Sequence, residues 1–144
     1  MNTPATSLRY RLVNDATVTA LVGTRVYPAA LVPPDATLPF GTIQQVSRRE
    51  APSLTSSTNI AWTIVQVDWY ARHVADSETL AEAARLELDG FRGTVTVDGN
   101  ALVIQNSTLE NQISDIDAEL GEAKEERYSR ITQEFEVAHE IAVP

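Results

Sequence analysis

Four carboxylates hold the one spacing in this chain that suits metal chemistry. Asp115, Asp117 and Glu119 occupy alternate positions, and Glu126 follows eleven residues after Asp115, the offsets at which a calcium loop presents its oxygens. Such a loop turns sharply at its sixth position and needs glycine there. Here that position is Leu120, and the flanks do not read as a pair of helices. The residues therefore favour a solvated acidic loop, with Asp115, Asp117 and Glu119 as its candidate members.

Other chemistry is sparse. Of the two histidines, His73 sits where a strand-like run gives way to a helical one, and His139 lies near the end of the last strand-like run. A lone strand-end histidine is ordinarily a surface or interface residue, and general acid–base work needs a positioned partner. The pattern G-x-S-x-G is absent, and the six glycines are scattered without the G-K-[ST] ending of a phosphate loop. No cysteine is present, which excludes disulfides and thiolate metal sites. Nothing singles out a carboxylate pair held in a pKa-shifting pocket. No catalytic residue and no cofactor is assigned. A small enzymatic or metal-binding domain stays as an alternative class, and ligand-dependent stabilisation would reveal it.

The elements that must position these residues are organised around Ile60 to Arg72, IAWTIVQVDWYAR. It holds both tryptophans among β-branched neighbours with no glycine or proline, the composition of a pleated, half-buried surface. Side chains alternate along a strand, so Ile60, Trp62 and Ile64 share one face while Val65, Val67, Trp69 and Ala71 share the other. Either a bulge re-aims the strand near Ile64, or its two halves bury against different things. The second reading is favoured: Val65 to Ala71 faces the domain's own core, and Ile60, Trp62 and Ile64 meet another subunit.

Before this strand, Thr3-Pro4 reads as a helix cap and first turn, with Leu8 and Leu12 on one side of the helix. Asp15 caps a second short helix, Ala16 to Val22, which Gly23 ends. Four prolines between Pro28 and Pro39 rule out helix and leave a rigid loop. Phe40 to Ser47 is a strand, broken by Arg48-Arg49-Glu50-Ala51-Pro52. The polar stretch Ser53 to Asn59 bridges to the central strand, giving a hairpin that projects beyond the core.

After Arg72 the period becomes helical. Asp76 or Ser77 offers a cap, Leu80, Ala84, Leu88 and Phe91 form a one-sided stripe, and Asp89-Gly90 ends it. Asp98-Gly99-Asn100 between two β-rich runs is a tight-hairpin signal. From Ser107 the chain turns acidic, continuing as a strand to Ile113 and then as a loop. Ile131, Phe135, Val137 and Ile141 line one face of a closing strand. The sum is one domain over residues 1–144, of α+β class. It has an antiparallel or mixed sheet of four to five strands, helices on one face, and one long projecting hairpin.

Net charge is −9, against a basic nucleic-acid footprint. Its distribution is uneven: residues 1–72 carry six Arg and four acids, residues 73–144 five basic residues and sixteen acids. Such a polar subunit suits head-to-tail contacts, and Arg's planar fork suits interface ion pairs. Arg25, Arg48 and Arg49 are the candidate cationic interface residues. No stretch has signal-peptide character or approaches the ~20 apolar residues of a bilayer span. A soluble protein made in the cytoplasm is expected.

These pieces resemble a known family. Leu21-Val22-Gly23-Thr24-Arg25-Val26-Tyr27-Pro28 after a short helix, Leu38-Pro39-Phe40 opening a strand, Val67-Asp68-Trp69-Tyr70-Ala71, a helix ending Leu88-Asp89-Gly90, and the strand around Phe135 look like the tail terminator, or tail-completion, proteins of long-tailed bacteriophages, the lambda-like terminators. The resemblance implies a non-enzymatic virion protein at the head-proximal end of the tail. It implies a ring homo-oligomer, commonly a hexamer, that stops polymerisation of the tail tube protein and presents a surface to a head-completion or connector protein. DNA passes through without specific binding, and no membrane is involved. A head–tail connector or neck component is the neighbouring alternative. The departures are Ser53 to Asn59 and the acidic Glu110 to Glu126 segment. With the resemblance goes the expectation that Asp115, Asp117 and Glu119 face the lumen.

Overall fold

The computed structural model describes residues 2–50, 60–117 and 128–141, with residues 116 and 117 by their backbone alone. Helix α1 (Pro4–Val13) starts where Thr3 accepts the Thr6 amide at 3.1 Å. Helix α2 (Ala16–Val22) starts where Asp15 accepts the Val18 amide at 3.0 Å. Each cap satisfies an amide that a helix's first turn cannot. Strand β1 (Val26–Pro28) and a 3₁₀ turn at Ala29–Leu31 follow, then the strands β2 (Phe40–Glu50) and β3 (Ile60–Ala71). Helix α3 (Val74–Leu88), β4 (Gly93–Val97), β5 (Asn100–Asp117) and β6 (Tyr128–Glu140) complete the order.

The fold is α+β, but its sheet has six strands, in the order β1-β2-β3-β6-β5-β4, rather than four to five. All pairs are antiparallel except β1 with β2. The extra strand is β1, three residues ending in proline, too short to show a period. Three boundaries also move. Strand β2 runs through Arg48 and Arg49 to Glu50, because β3 supplies a partner along its whole length past a bulge between Gln45 and Ser47. Helix α3 begins at Val74, ahead of Asp76 and Ser77. Strand β5 continues past Ile113 to Asp117, paired with β6 throughout.

One face of the sheet carries the helices α1, α2 and α3. Odd-numbered residues of β3 from Ala61 to Ala71 are buried on it, and the β3–β6 register is unbroken from Ile60 to Ala71. The apolar set of β3 therefore changes composition, not geometry. Near Ala71 the helix side is filled by Val65, Val67 and Trp69. Near Ile60 it is filled by Ala61 and Thr63, the latter hydrogen-bonded to His139 at 2.8 Å. The core joins Leu8, Leu12, Val18, Val22, Leu80, Ala84 and Leu88 of the helices to Ile43, Trp69, Ile131 and Phe135 of the sheet. Fully buried Trp69 donates its indole N–H to Gln133 Oε1 at 2.9 Å, and Gln133 Nε2 donates to the Ala81 carbonyl and Gln112 Oε1. Every polar atom of that buried amide is satisfied, as its position demands.

Candidate assembly interface

The face opposite the helices carries none of them, and the register shows what lies on it. Tyr27, Phe40, Tyr70 and Tyr128 form an aromatic row across β1, β2, β3 and β6. Ring centroids are 6.1 Å apart for Tyr27–Phe40, 5.0 Å for the stacked Phe40–Tyr70 pair, and 5.5 Å for the edge-on Tyr70–Tyr128 pair. Arg130 shares a hydrogen bond with Tyr70, which holds the guanidinium above its usual pKa, and meets Asp115 at 3.3 Å. No pattern in the sequence announces this row. Its members come from four segments far apart in the chain, and only strand pairing brings them into line.

Ile60, Trp62 and Ile64 lie at the other end of the same face, each half-buried. Arg49 lies over the Trp62 ring at 4.6 Å from its centroid and reaches Glu136 at 4.0 Å. Arg48 pairs with Glu50 at 3.0 Å. Arg25 is built in elsewhere. Its Nε donates to the Pro39 carbonyl at 3.0 Å, and its own carbonyl accepts the Gly41 amide at 2.8 Å. Arg25 thus fastens the proline-rich loop to the start of β2, away from Trp62.

Between the two ends lies a polar band. Asp68, 6% exposed, accepts hydrogen bonds from Thr132 and from Gln66. By register this face presents Asp68, Asp115, Glu134, Glu136 and Glu140 against Arg49 and Arg130, an acidic balance among the described residues. Asp115 is exposed within β5 rather than in a loop, and the Asp117 backbone continues that strand. Glu119, Leu120 and Glu126, and the bridge Ser53 to Asn59, lie outside the described residues.

His139 is buried. Its Nε2 faces the Thr63 hydroxyl and its Nδ1 the Glu140 carbonyl at 3.1 Å, so both ring nitrogens are engaged. Burial pushes its pKa below the usual value, and nearby Arg48 adds to this, while the Glu140 carbonyl acts the other way. A cleft of about 630 Å³ passes it, lined also by Asn2, Arg48, Leu102 and Glu140. His73 caps the start of α3 through its backbone, not its side chain. Among the described residues no three His, Cys, Asp or Glu side chains converge as a metal site.

Residues 6–140 match the model of the family described as tail completion protein gp17. No curated protein matches the chain. Among solved structures, a chain from the virion of a native gene transfer agent (GTA) particle is similar with a TM-score of 0.69 and 18% sequence identity. That match covers 97% of this chain and 96% of the other. At that identity the likeness speaks for the fold.

Proposed function

The chain belongs to the tail completion protein gp17 family, structural proteins of the virion tail, and from that premise we propose that it works as a ring. Copies of the chain, six in the proposed assembly, close the finished end of the tail tube, stop its polymerisation and offer the surface to which the head attaches. Its work is contact between proteins, not transformation of a ligand.

The observation that carries this reading is the one-sided sheet. A lone domain ordinarily hides large apolar groups. Here Trp62, Ile64 and the row from Tyr27 to Tyr128 stand on a face that no described element covers, the kind of surface that marks an assembly site. A cyclic assembly needs two different complementary patches on each subunit. Arg48 and Arg49 with Trp62 supply one, and the acidic β5–β6 end supplies the other. With the helices outward, the part of the helix-free face that neighbouring subunits leave open turns to the axis, and its carboxylates keep passing DNA from adhering.

Electron microscopy of the purified protein, alone and bound to tails, tests this. A ring with a central pore at the head-proximal tube end is expected. Binding to the head vertex without affinity for tubes would make it a neck component instead.

A further inference from the structure

The sheet is stepped, and its steps are complementary. Strand β1 covers β2 only along Gly41 to Ile43, and among the described residues nothing pairs with the outer edge of β2 over residues 44–50. At the opposite side β4 covers β5 only along Asn100 to Ile104. The next stretch of β5 is closed by the end of α3: the Gly90 amide donates to the Ser107 carbonyl at 2.6 Å, and the Leu109 amide donates to Asp89 at 3.0 Å. Beyond Glu110 the outer edge of β5 is again free of described partners to Asp117. Residues 44–50 and 111–115 are exposed at every position. They are two bare strand edges of similar length at diagonal corners of one sheet.

Each edge carries what the other lacks. Residues 44–50 hold Arg48 and Arg49 with Glu50, whereas residues 110–117 hold Glu110, Asp115 and Asp117 and no cation. Each also exposes one large apolar side chain: Val46 at 51% and Ile113 at 54%. Unpaired strand edges are templates for another strand. A bulge, as at Val46, and charge, as at Arg48 and Arg49, keep such an edge from pairing indiscriminately while leaving an acidic partner acceptable.

We propose that neighbouring subunits join by continuing the sheet, with β2 residues 44–50 of one copy pairing antiparallel with β5 residues 111–117 of the next. This deepens the ring reading and rests on it. The directions agree: β2 and β5 run opposite ways in the sheet, so copies related by a ring axis bring them together antiparallel. The heights differ by a step that a tilted sheet takes up. By register Ser47 lies level with Glu136, and the middle of the β5 edge lies level with Ile131 and Thr132. At ~3.3 Å per residue and ~4.8 Å per strand, the step is about 15 Å along the strands for about 19 Å across them. A strand tilt of about 40° absorbs this, close to the tilt of closed barrels. Ile113 of one copy then joins Ile64 and Trp62 of the next on the same face, and Arg48 and Arg49 stand opposite residues 111–114, between Glu110 and Asp115.

Charge exchange tests it. One variant carries Arg48→Glu with Arg49→Glu, the other Glu110→Arg with Asp115→Arg, both at exposed positions, and thermal unfolding confirms that each folds. Native mass spectrometry in solution and microscopy of tube ends read assembly. Each variant alone is expected to lose rings at least tenfold, and an equimolar mixture to regain them with the two chains alternating. A second reading uses the absence of native cysteine: Ser47→Cys with Ile113→Cys should give a ladder of intermolecular products with a short bis-maleimide. Either charge variant assembling like wild type, no rescue on mixing, or no ladder from particles that still ring would overturn edge pairing while leaving the tube-closing role intact. A wild type that neither rings nor stops tubes would remove that role, and the pairing with it.

Discussion

Arg49 places its guanidinium over the indole of Trp62, across the β2–β3 ladder, with Glu136 within reach of the same group. The stack covers one side of a large apolar ring and leaves the rest to a partner. An exposed cation–π pair contributes about 0.5–1 kcal/mol within the chain, whereas buried Trp and Arg side chains are the commonest anchors of interfaces. Trp62→Ala is therefore expected to cost the isolated domain no more than about 1 kcal/mol, and to weaken self-association at least tenfold. Thermal unfolding and sedimentation equilibrium on one preparation separate the two effects. A large loss of stability with unchanged association would assign Trp62 to the core instead.

Gly41 faces Trp69 directly across the same ladder, and a Cβ on Gly41 would fall 2.6 Å from the indole Cζ3. The ring cannot move aside, since its N–H is tied to Gln133 and the side chain is fully buried. Gly41→Ala should destabilise the fold by about 1–3 kcal/mol through overpacking, measurable by urea unfolding. An unchanged midpoint would contradict this packing.

His139 makes stability pH-dependent with a defined sign. Its pKa is lowered in the folded protein by burial, with Arg48 adding to this, so the unfolded chain binds the proton more readily. The contribution is complete above the unfolded value of about 6.5 and is lost as pH falls from there toward the folded pKa. Arg48 is the charged group acting on it, and Glu140 meets the ring through its backbone carbonyl. Wild type minus His139→Gln should show a difference in unfolding free energy that shrinks as pH falls from 7 to 5. A difference that grows on acidification would reverse the assignment.

Glu134 and Glu136 stand on the helix-free face beside Gln66 and Ile64. If that face lines the passage, Glu134→Lys with Glu136→Lys makes the wall attractive to phosphates. Particles carrying the pair should release DNA more slowly, most visibly at low salt. Release at the wild-type rate would place this face away from the DNA.

Much of the fold could be read from side chains that act locally. Thr3 and Asp15 cap their helices as their types require. Asp98 and Gly99, with φ of 51° and 81°, make the two-residue turn that an Asp-Gly pair specifies. What could not be read lacked a period. Strand β1 is three residues long, and residues 111–115 of β5 are exposed on both faces, so no alternation marks them. A strand whose partner supplies all its order reads as a loop, which is why β2 and β5 extend further than their composition suggests. The candidate interface was half legible. Trp62 with its apolar neighbours signals a face, whereas Phe40 and Tyr70 become a pair only through the β2–β3 register.

The central claim, that this chain closes a growing tube, is tested most directly by adding the purified protein to tail tube subunits as they polymerise and measuring tube lengths by microscopy. The account predicts that tubes stop lengthening once their head-proximal ends carry a ring, and that mean length falls as the protein is added earlier. Tubes that lengthen at the same rate and to the same extent, with no density on their ends at saturating protein, would contradict it.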